Sequence, residues 1–310
     1  MAQGELVLVT GAAGFIGSHL CDALLAQGYR VRGADRHANA PNLAAARKHA
    51  AFEYVQAELA VEAACARACA GVGFVLHHAA LASVPASIKE PLRCHRDTLD
   101  TTLGLLVASR AAGVKRFVLA SSAAVYGDTP AAPVGEDVAC NPLSPYAAAK
   151  AAGELYVKAF ARMGLDGVSL RYFNVYGPRQ RPDSPYSGVI TIFASLARAS
   201  HPVTVFGDGL QTRDFLHVRD VCRANLAAIG HGKPLGGACL NIGTGRSVTL
   251  LELARGIGRA AGLHVQIDHK PARAGDIRNS CADVSRAART LGFRAEVELE
   301  QGLATVVQPA

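Results

Sequence analysis

The segment that most constrains this chain lies at its start. An apolar run, Glu5 to Thr10, passes straight into Gly11-Ala12-Ala13-Gly14-Phe15-Ile16-Gly17. Leucines at 20, 24 and 25 then follow at helical spacing as far as Gly28. Three glycines between a strand and a helix allow a tight turn. They also let the backbone approach a pyrophosphate and let the helix pack closely on the strand. The free N–H groups of that helix start would face the phosphates. A second strand, Tyr29 to Ala34, ends at Asp35, where a carboxylate can accept bonds from both adenosine ribose hydroxyls and repel a 2′-phosphate. That points to NAD over NADP, although the neighbouring Arg36 is a cation able to meet a 2′-phosphate instead.

Strand-like runs recur at Phe52–Gln56, 73–78, 116–120 and Val168–Tyr172, with helical stretches between them, including 91–112 and 144–163. This rhythm predicts an α/β fold: a Rossmann-type, doubly wound parallel sheet with right-handed crossovers. After Asn174 the rhythm breaks into a Pro/Gly/Ser-rich loop. Further strands are expected at 203–206, 239–242 and 265–269, a strand end followed by a helix over 217–229, and helices at 249–261 and 285–291. The expected division is an NAD-binding domain over 1–174 and a smaller C-terminal α/β substrate domain over 175–310. Segments near 216–245 return to the first domain. The stretch 81–88 reads as a loop.

A chain of 310 residues that is 50% hydrophobic and 18% charged can bury a sizeable core. Its net charge of +7 is spread out, with no basic run of the kind that forms a nucleic-acid arm. The longest uncharged stretch, 68–88, holds His77, His78, Ser83 and Pro85, and no secretory leader is visible, so a cytoplasmic protein is expected. The eight cysteines form no CxxC pair and read as buried free thiols, not as a metal site.

Tyr146 and Lys150 stand one turn apart on a helix opened by Ser144-Pro145. A nearby ammonium and a positively charged nicotinamide would both lower the phenol pKa from about 10 toward that of a usable base. Ser121 and Ser122 end the fifth strand, at the sheet edge where such folds bind ligands.

Together these features resemble the extended short-chain dehydrogenases/reductases over nearly the whole chain. The finer motifs are similar to the nucleotide-sugar 4-epimerase branch: His77-His78-Ala79-Ala80, Ser121 to Gly127, Ser144-Pro145-Tyr146, Arg171 to Gly177, and Arg213 to Val218. The resemblance implies tightly bound NAD, a UDP-sugar substrate and a homodimer. In the dimer, the 91–112 and 144–163 helices pack into a four-helix bundle. It implies Tyr146 as the base at the sugar 4-hydroxyl, Lys150 on the nicotinamide ribose, and Ser122 on the 4-oxygen, with Ser121 as second choice. Cofactor contacts fall on Gly11, Gly14, Phe15, Ile16, Gly17, Asp35, Arg36, Glu58, Leu59, His78, Ala79, Ala80, Ala120, Tyr146, Lys150 and Tyr172. Substrate contacts fall on Ser83, Ser122, Tyr146, Asn174, Gln180, Gly188, Val189, Val205, Phe206, Arg213, Arg273, Asp276 and Ser280.

The small Ser280 stands where plain UDP-galactose epimerases of bacterial type carry a tyrosine, which leaves room for a 2-acetamido group. The expected reaction is therefore interconversion of UDP-GlcNAc and UDP-GalNAc, with UDP-glucose and UDP-hexosaminuronate as alternatives. Some positions depart from the pattern: Glu58-Leu59 for Asp-Ile, and Thr98 and Thr101 for Asn and Gly. A 4,6-dehydratase would need an acidic pair where Ala123 and Ala124 stand. A redox-silent regulator would have lost Tyr146 or Lys150. Membrane and nucleic-acid partners are not expected.

Overall fold

The computed structural model describes residues 4–129, 132–180, 188–272 and 277–307. The elements run β1 (Leu6–Thr10), α1 (Phe15–Ala26), β2 (Arg30–Asp35), β3 (Phe52–Gln56), α2 (Glu62–Cys69), β4 (Phe74–His77), α3 (Val84–Lys89), α4 (Pro91–Cys94), α5 (Thr101–Ala111), β5 (Arg116–Ser122), α6 (Pro145–Arg162) and β6 (Gly167–Tyr172). They continue with β7 (Val175–Tyr176), α7 (Val189–Arg198), β8 (Val203–Phe206), β9 (Thr212–Arg213), β10 (Leu216–His217), α8 (Val218–Gly230) and β11 (Ala238–Ile242). The last are β12 (Val248–Thr249), α9 (Leu250–Ala261), β13 (Ile267–Lys270), α10 (Ser285–Leu291) and α11 (Leu299–Val307).

Seven strands form one sheet in the order β11-β6-β5-β4-β1-β2-β3. The fold is the α/β, Rossmann-type parallel sheet that the strand rhythm predicts. Chain order reverses between β1 and β4, which makes their carboxyl ends the ligand-binding edge. Register aligns those ends: Thr10 lies opposite both Ala34 and His77, and His77 lies opposite Leu119. Gly11, Asp35, His78 and Ala120 therefore emerge along one line. All five β1 residues are buried, as expected for a strand covered on both faces. On one face Leu6, Leu8, Val75, Phe117 and Leu119 pack against Cys65 of α2, Leu105 and Leu106 of α5, and Val157 and Phe160 of α6.

The chain divides into two compact units. The first contains 1–125, 142–171 and 222–240. The second contains 126–141, 172–221 and 241–310, with its own core. There Phe193 and Ala194 of α7, Val203 and Val205 of β8, Leu253 and Ile257 of α9, and Leu303 of α11 surround Tyr176 and Phe215. Helix α9 opens on a reciprocal cap between Thr249 and Glu252 and ends at Gly262, whose φ of 66° is the left-handed stop.

Three local readings of the sequence are corrected. The 91–112 stretch is not one uniform helix: His95–Asp100 forms a π-helical turn between α4 and α5. The 81–88 stretch is not all loop, because Ser83 accepts the Ala86 N–H at 3.1 Å and Pro85 sits in the first turn, so α3 forms. Of the cysteines, five are buried, but Cys140 is exposed and Cys239 and Cys281 are half-buried. Helices α7 and α11 carry no reading from sequence. Among the described residues, no helix is long and apolar enough to cross a membrane.

Candidate active site

The glycine turn is closed to any larger side chain. A Cβ on Gly17 would lie 2.2 Å from the Gly11 carbonyl oxygen, and one on Gly14 would lie 3.1 Å from it. A Cβ on Gly11, whose φ is 68°, would meet the Ala79 nitrogen at 2.9 Å. Phe15 and Ile16 begin α1, whose N-cap is Gly14 and whose first turn has neither a side-chain cap nor an acid. Those amides keep the positive end of the helix open toward an anion. Thr10 fastens the neighbouring loop, its hydroxyl accepting the N–H groups of His78 and Ala79, both at 3.1 Å.

Asp35 is nearly buried at the end of β2. Its two oxygens accept the Ala13 and His37 N–H groups, each at 3.1 Å. Every carboxylate oxygen keeps further acceptor capacity, which suits ribose hydroxyls. A cradle too tight for any Cβ, an uncapped helix start and this carboxylate together fit NAD. Arg36 turns elsewhere: it donates to Asp97 at 3.1 Å and lies 3.8 Å from Glu58. Leu59 is buried beside Glu58 in sequence.

The two histidines are held neutral. His77 sits fully buried between the hydroxyls of Thr10 at 2.7 Å and Thr102 at 3.0 Å. Burial lowers its pKa well below the usual value, and the charges of Lys150 and His78 add to the effect. Burial also brings His78 down to about 3. Thr98 takes over the Leu81 N–H at 3.2 Å, so its hydroxyl has a definite place on the π-helical turn.

Helix α6 presents Tyr146, Lys150 and Glu154 on one face, and each meets the end of β5. Ser122 stands beside the Tyr146 phenol, where its hydroxyl favours the phenolate, and itself accepts the Ala124 N–H at 3.2 Å. Buried Lys150 donates to the Ala120 carbonyl at 2.6 Å. Ser121 donates to Glu154 at 2.5 Å, and Arg171 grips the same carboxylate through two bonds at 2.9 and 2.6 Å. One expectation needs correction. The protein by itself does not lower the phenol pKa: burial pushes Tyr146 up to about 12, despite the Ser122 hydroxyl. Burial likewise brings Lys150 down to about 8, against the opposing effects of Cys94 and Glu154. Desolvation outweighs the local partners at both groups.

Sequence reasoning missed Glu154, Arg171 and Asp97. Glu154 had a signal, since it stands one further turn along the Tyr146–Lys150 face. Arg171 had one too, being a cation inside an otherwise apolar strand.

Most of the sugar-nucleotide candidates lie in the second unit. Asn174 donates to the Asp214 carbonyl at 2.9 Å. Gln180 accepts from Thr191 in the first turn of α7, beside Gly188 and Val189. Val205 and Phe206 end β8, and the Phe206 carbonyl accepts Gln211 at 2.8 Å. Arg213 donates to the carbonyls of Thr212 and Ile277 at 2.8 and 2.7 Å. The Ser280 N–H donates to the Thr212 carbonyl at 3.2 Å, which puts Ser280 next to Arg213 in the same small network. Buried Asp214 anchors this region by accepting from Thr244, Gly245 and Ala282. Ser83 is buried in the first unit with its hydroxyl engaged at the start of α3, and Tyr172 is buried at the end of β6. Arg273 and Asp276 lie outside the described residues.

A model of the NAD dependent epimerase/dehydratase family matches residues 7–243. This chain belongs to that family. The UDP-glucose 4-epimerase of Mycolicibacterium smegmatis is 40% identical over 308 residues, 97% of each chain. The solved UDP-N-acetylglucosamine 4-epimerase from Methanobrevibacter ruminantium M1, in complex with UDP-N-acetylmuramic acid, superposes with a TM-score of 0.92 at 35% identity. That match covers 99% of this chain and 98% of the other. A UDP-glucose 4-epimerase from Thermus thermophilus, in complex with NAD, gives 0.87 at 34%, with 97% of both chains covered. The chain is thus an NAD-dependent enzyme of the nucleotide-sugar 4-epimerase family.

Proposed function

We propose that this epimerase interconverts UDP-N-acetylglucosamine and UDP-N-acetylgalactosamine. The observation that carries the reading is Ser280, a small, half-buried residue tied through its N–H beside Arg213. A serine there leaves the volume that an acetamido group needs, which a phenol ring would fill. Arg213 and Arg273 are assigned to the diphosphate, and Asn174, Gln180, Gly188, Val189, Val205, Phe206 and Asp276 to the rest of the nucleotide sugar.

Gly11, Gly14, Phe15, Ile16, Gly17, Asp35, Glu58, Leu59, His78, Ala79, Ala80, Ala120 and Tyr172 hold NAD, which when bound supplies a hydride acceptor and donor for sugar C4. Tyr146 accepts the proton of the 4-hydroxyl and gives it back. Ser122 carries the hydrogen bond to the 4-oxygen, since its hydroxyl meets Tyr146 while that of Ser121 is spent on Glu154. Lys150 holds the nicotinamide ribose and keeps a cation near the phenol. Between the two proton transfers the 4-keto sugar turns over on its diphosphate. The protein must therefore grip the nucleotide firmly and the ring loosely, and binding energy remote from the ring serves that end. At 123 and 124 the chain offers only alanines, which disfavours dehydration.

Of the twelve large apolar side chains exposed among the described residues, seven (Val84, Ile88, Leu92, Val107, Leu155, Tyr156 and Met163) lie on α3 to α6 or just past its end. They support a homodimer through these helices. Light scattering at micromolar concentration would give a monomer if this is wrong.

The substrate assignment is tested by mixing purified enzyme, without added cofactor, with each of four sugar nucleotides and reading the products by NMR. Conversion of UDP-GlcNAc and UDP-GalNAc is expected. No conversion of either, alongside rapid turnover of UDP-glucose or UDP-glucuronate, would replace the reading by the corresponding alternative.

A further inference from the structure

Arg36 poses a puzzle for an NAD site. It directly follows Asp35, at the end of β2, where a free guanidinium would attract the 2′-phosphate of NADP. The structure shows where that charge goes. Its guanidinium donates through Nη1 to Asp97 at 3.1 Å, and the same nitrogen has Glu58 at 3.8 Å. Asp97 is buried, only 3% exposed, on the π-helical turn between α4 and α5. The same carboxylate takes Arg93 at 3.3 Å and faces Arg96 at 3.6 Å. Arg93 has a second anion in Glu90 at 3.0 Å. Arg36 thus leans on two carboxylates while Asp35 makes its bonds to backbone N–H groups alone. Glu58 reaches Arg36 with a side chain one methylene longer than the aspartate that the resemblance leads one to expect.

We infer that Asp97 is a cofactor-selectivity residue. By binding Arg36 it withholds from the 2′ position a cation placed to accept a 2′-phosphate. The inference rests on the NAD assignment but adds a residue distant in sequence from the glycine turn and from β2. Selection against NADP then has two parts: Asp35 repels the phosphate directly, and Asp97 removes its counter-ion. Asp97 acts through Arg36 and is a positioning residue.

The test lets wild type, Asp97→Asn, Arg36→Ala and the double variant fold during cell-free synthesis in equimolar NAD and NADP. The purified holoproteins are denatured, and the released nucleotides are counted by mass spectrometry. Wild type should release almost only NAD. Asp97→Asn should raise the NADP:NAD ratio about tenfold, the effect of one additional charge-assisted hydrogen bond to the 2′-phosphate. The double variant should return to the wild-type ratio, because the rise needs Arg36. An unchanged ratio in soluble Asp97→Asn, or a rise that persists without Arg36, would overturn the inference. If Asp97→Asn is insoluble, Glu58→Gln loosens the same cation from its exposed side. It should then give a smaller rise that also disappears with Arg36→Ala, and an unchanged ratio there rejects the inference. A wild-type protein carrying neither nucleotide would instead reject the NAD assignment.

Discussion

The two units differ in how they hold several of their buried charged groups. In the first, charged side chains bind one another: Glu154 with Arg171 and Ser121, Arg36 with Asp97, Arg116 with Asp166 at 2.6 Å. In the second the two fully buried carboxylates, Asp214 and Asp220, take main-chain N–H groups, while ion pairs such as Arg278 with Asp208 and Arg246 with Glu298 stay on the exposed surface. Asp214 accepts from the amides of three residues, and Asp220 from those of Glu296 and Val297. Arg213 and Asn241 donate to carbonyls. The difference follows from the elements. A seven-stranded sheet satisfies its own backbone, so its side chains are free to pair with each other. The second unit has two-residue strands at β7, β9, β10 and β12, and its loops need side chains as surrogate partners. Some residues do both: Arg116 also donates to three carbonyls near the end of α8, and Arg32 pairs with Glu53 while donating to the Ala68 and Ala70 carbonyls.

The largest effect should come from the one site group that this contrast makes irreplaceable. Tyr146→Phe should cut turnover by about a thousandfold or more while UDP-sugar binding, read by calorimetry, survives. A variant with ordinary turnover removes Tyr146 as the base. Next, Glu154→Gln leaves Arg171 buried without its counter-charge and should cost about 3–5 kcal/mol in urea unfolding. Adding Arg171→Met should recover more than half of that loss, because a buried pair replaced whole is tolerated. Failure to recover would mean that the carboxylate matters for something besides the pair.

In the second unit, Asp214→Asn turns an amide group toward N–H donors and should cost about 2 kcal/mol. No paired substitution should rescue it, because main-chain N–H groups of Thr244, Gly245 and Ala282 would remain to be satisfied. A rescue would erase the contrast.

The smallest effect is a pH slope in cofactor-free protein. Lys150 titrates near 8 folded, against 10.5 as an ordinary lysine. Between those values the unfolded chain binds the extra proton, so stability rises with pH by about 1.4 kcal/mol per unit. Tyr146, raised to about 12, opposes this above pH 10, so the window is pH 8 to 9.5. Relative to Lys150→Met, the wild type should gain stability there. Equal slopes would mean that the ammonium is better solvated than its burial implies.

Much of the first unit was legible because its signals are local. Strand, glycine turn, helix and acid occur in sequence order, and β3 falls where the residue pattern put it; in the second unit β8 and α10 do so as well. The π-helical turn was not legible, since one extra residue in a turn leaves little mark on the hydrophobic spacing. Helix α7, rich in Val, Ile and Thr at its start, shows the β-branched composition that also marks strands. The partners of Arg36 and Arg171 were hidden for another reason. A buried ion pair joins residues far apart in sequence, so even where one member carries a signal, as Arg171 does inside its strand, the partner cannot be read from it.

The three contacts between α6 and the end of β5 have a mechanical consequence. Tyr146 with Ser122, Lys150 with the Ala120 carbonyl, and Glu154 with Ser121 work like three teeth of a rack engaging one short bar. A single residue inserted between Lys150 and Glu154 would rotate the rest of the helix by about 100° and advance it by about 1.5 Å. The third tooth would disengage while the first two still held. Length changes in this stretch are therefore forbidden more strictly than changes of side chain, and the spacing itself is what the helix has to preserve.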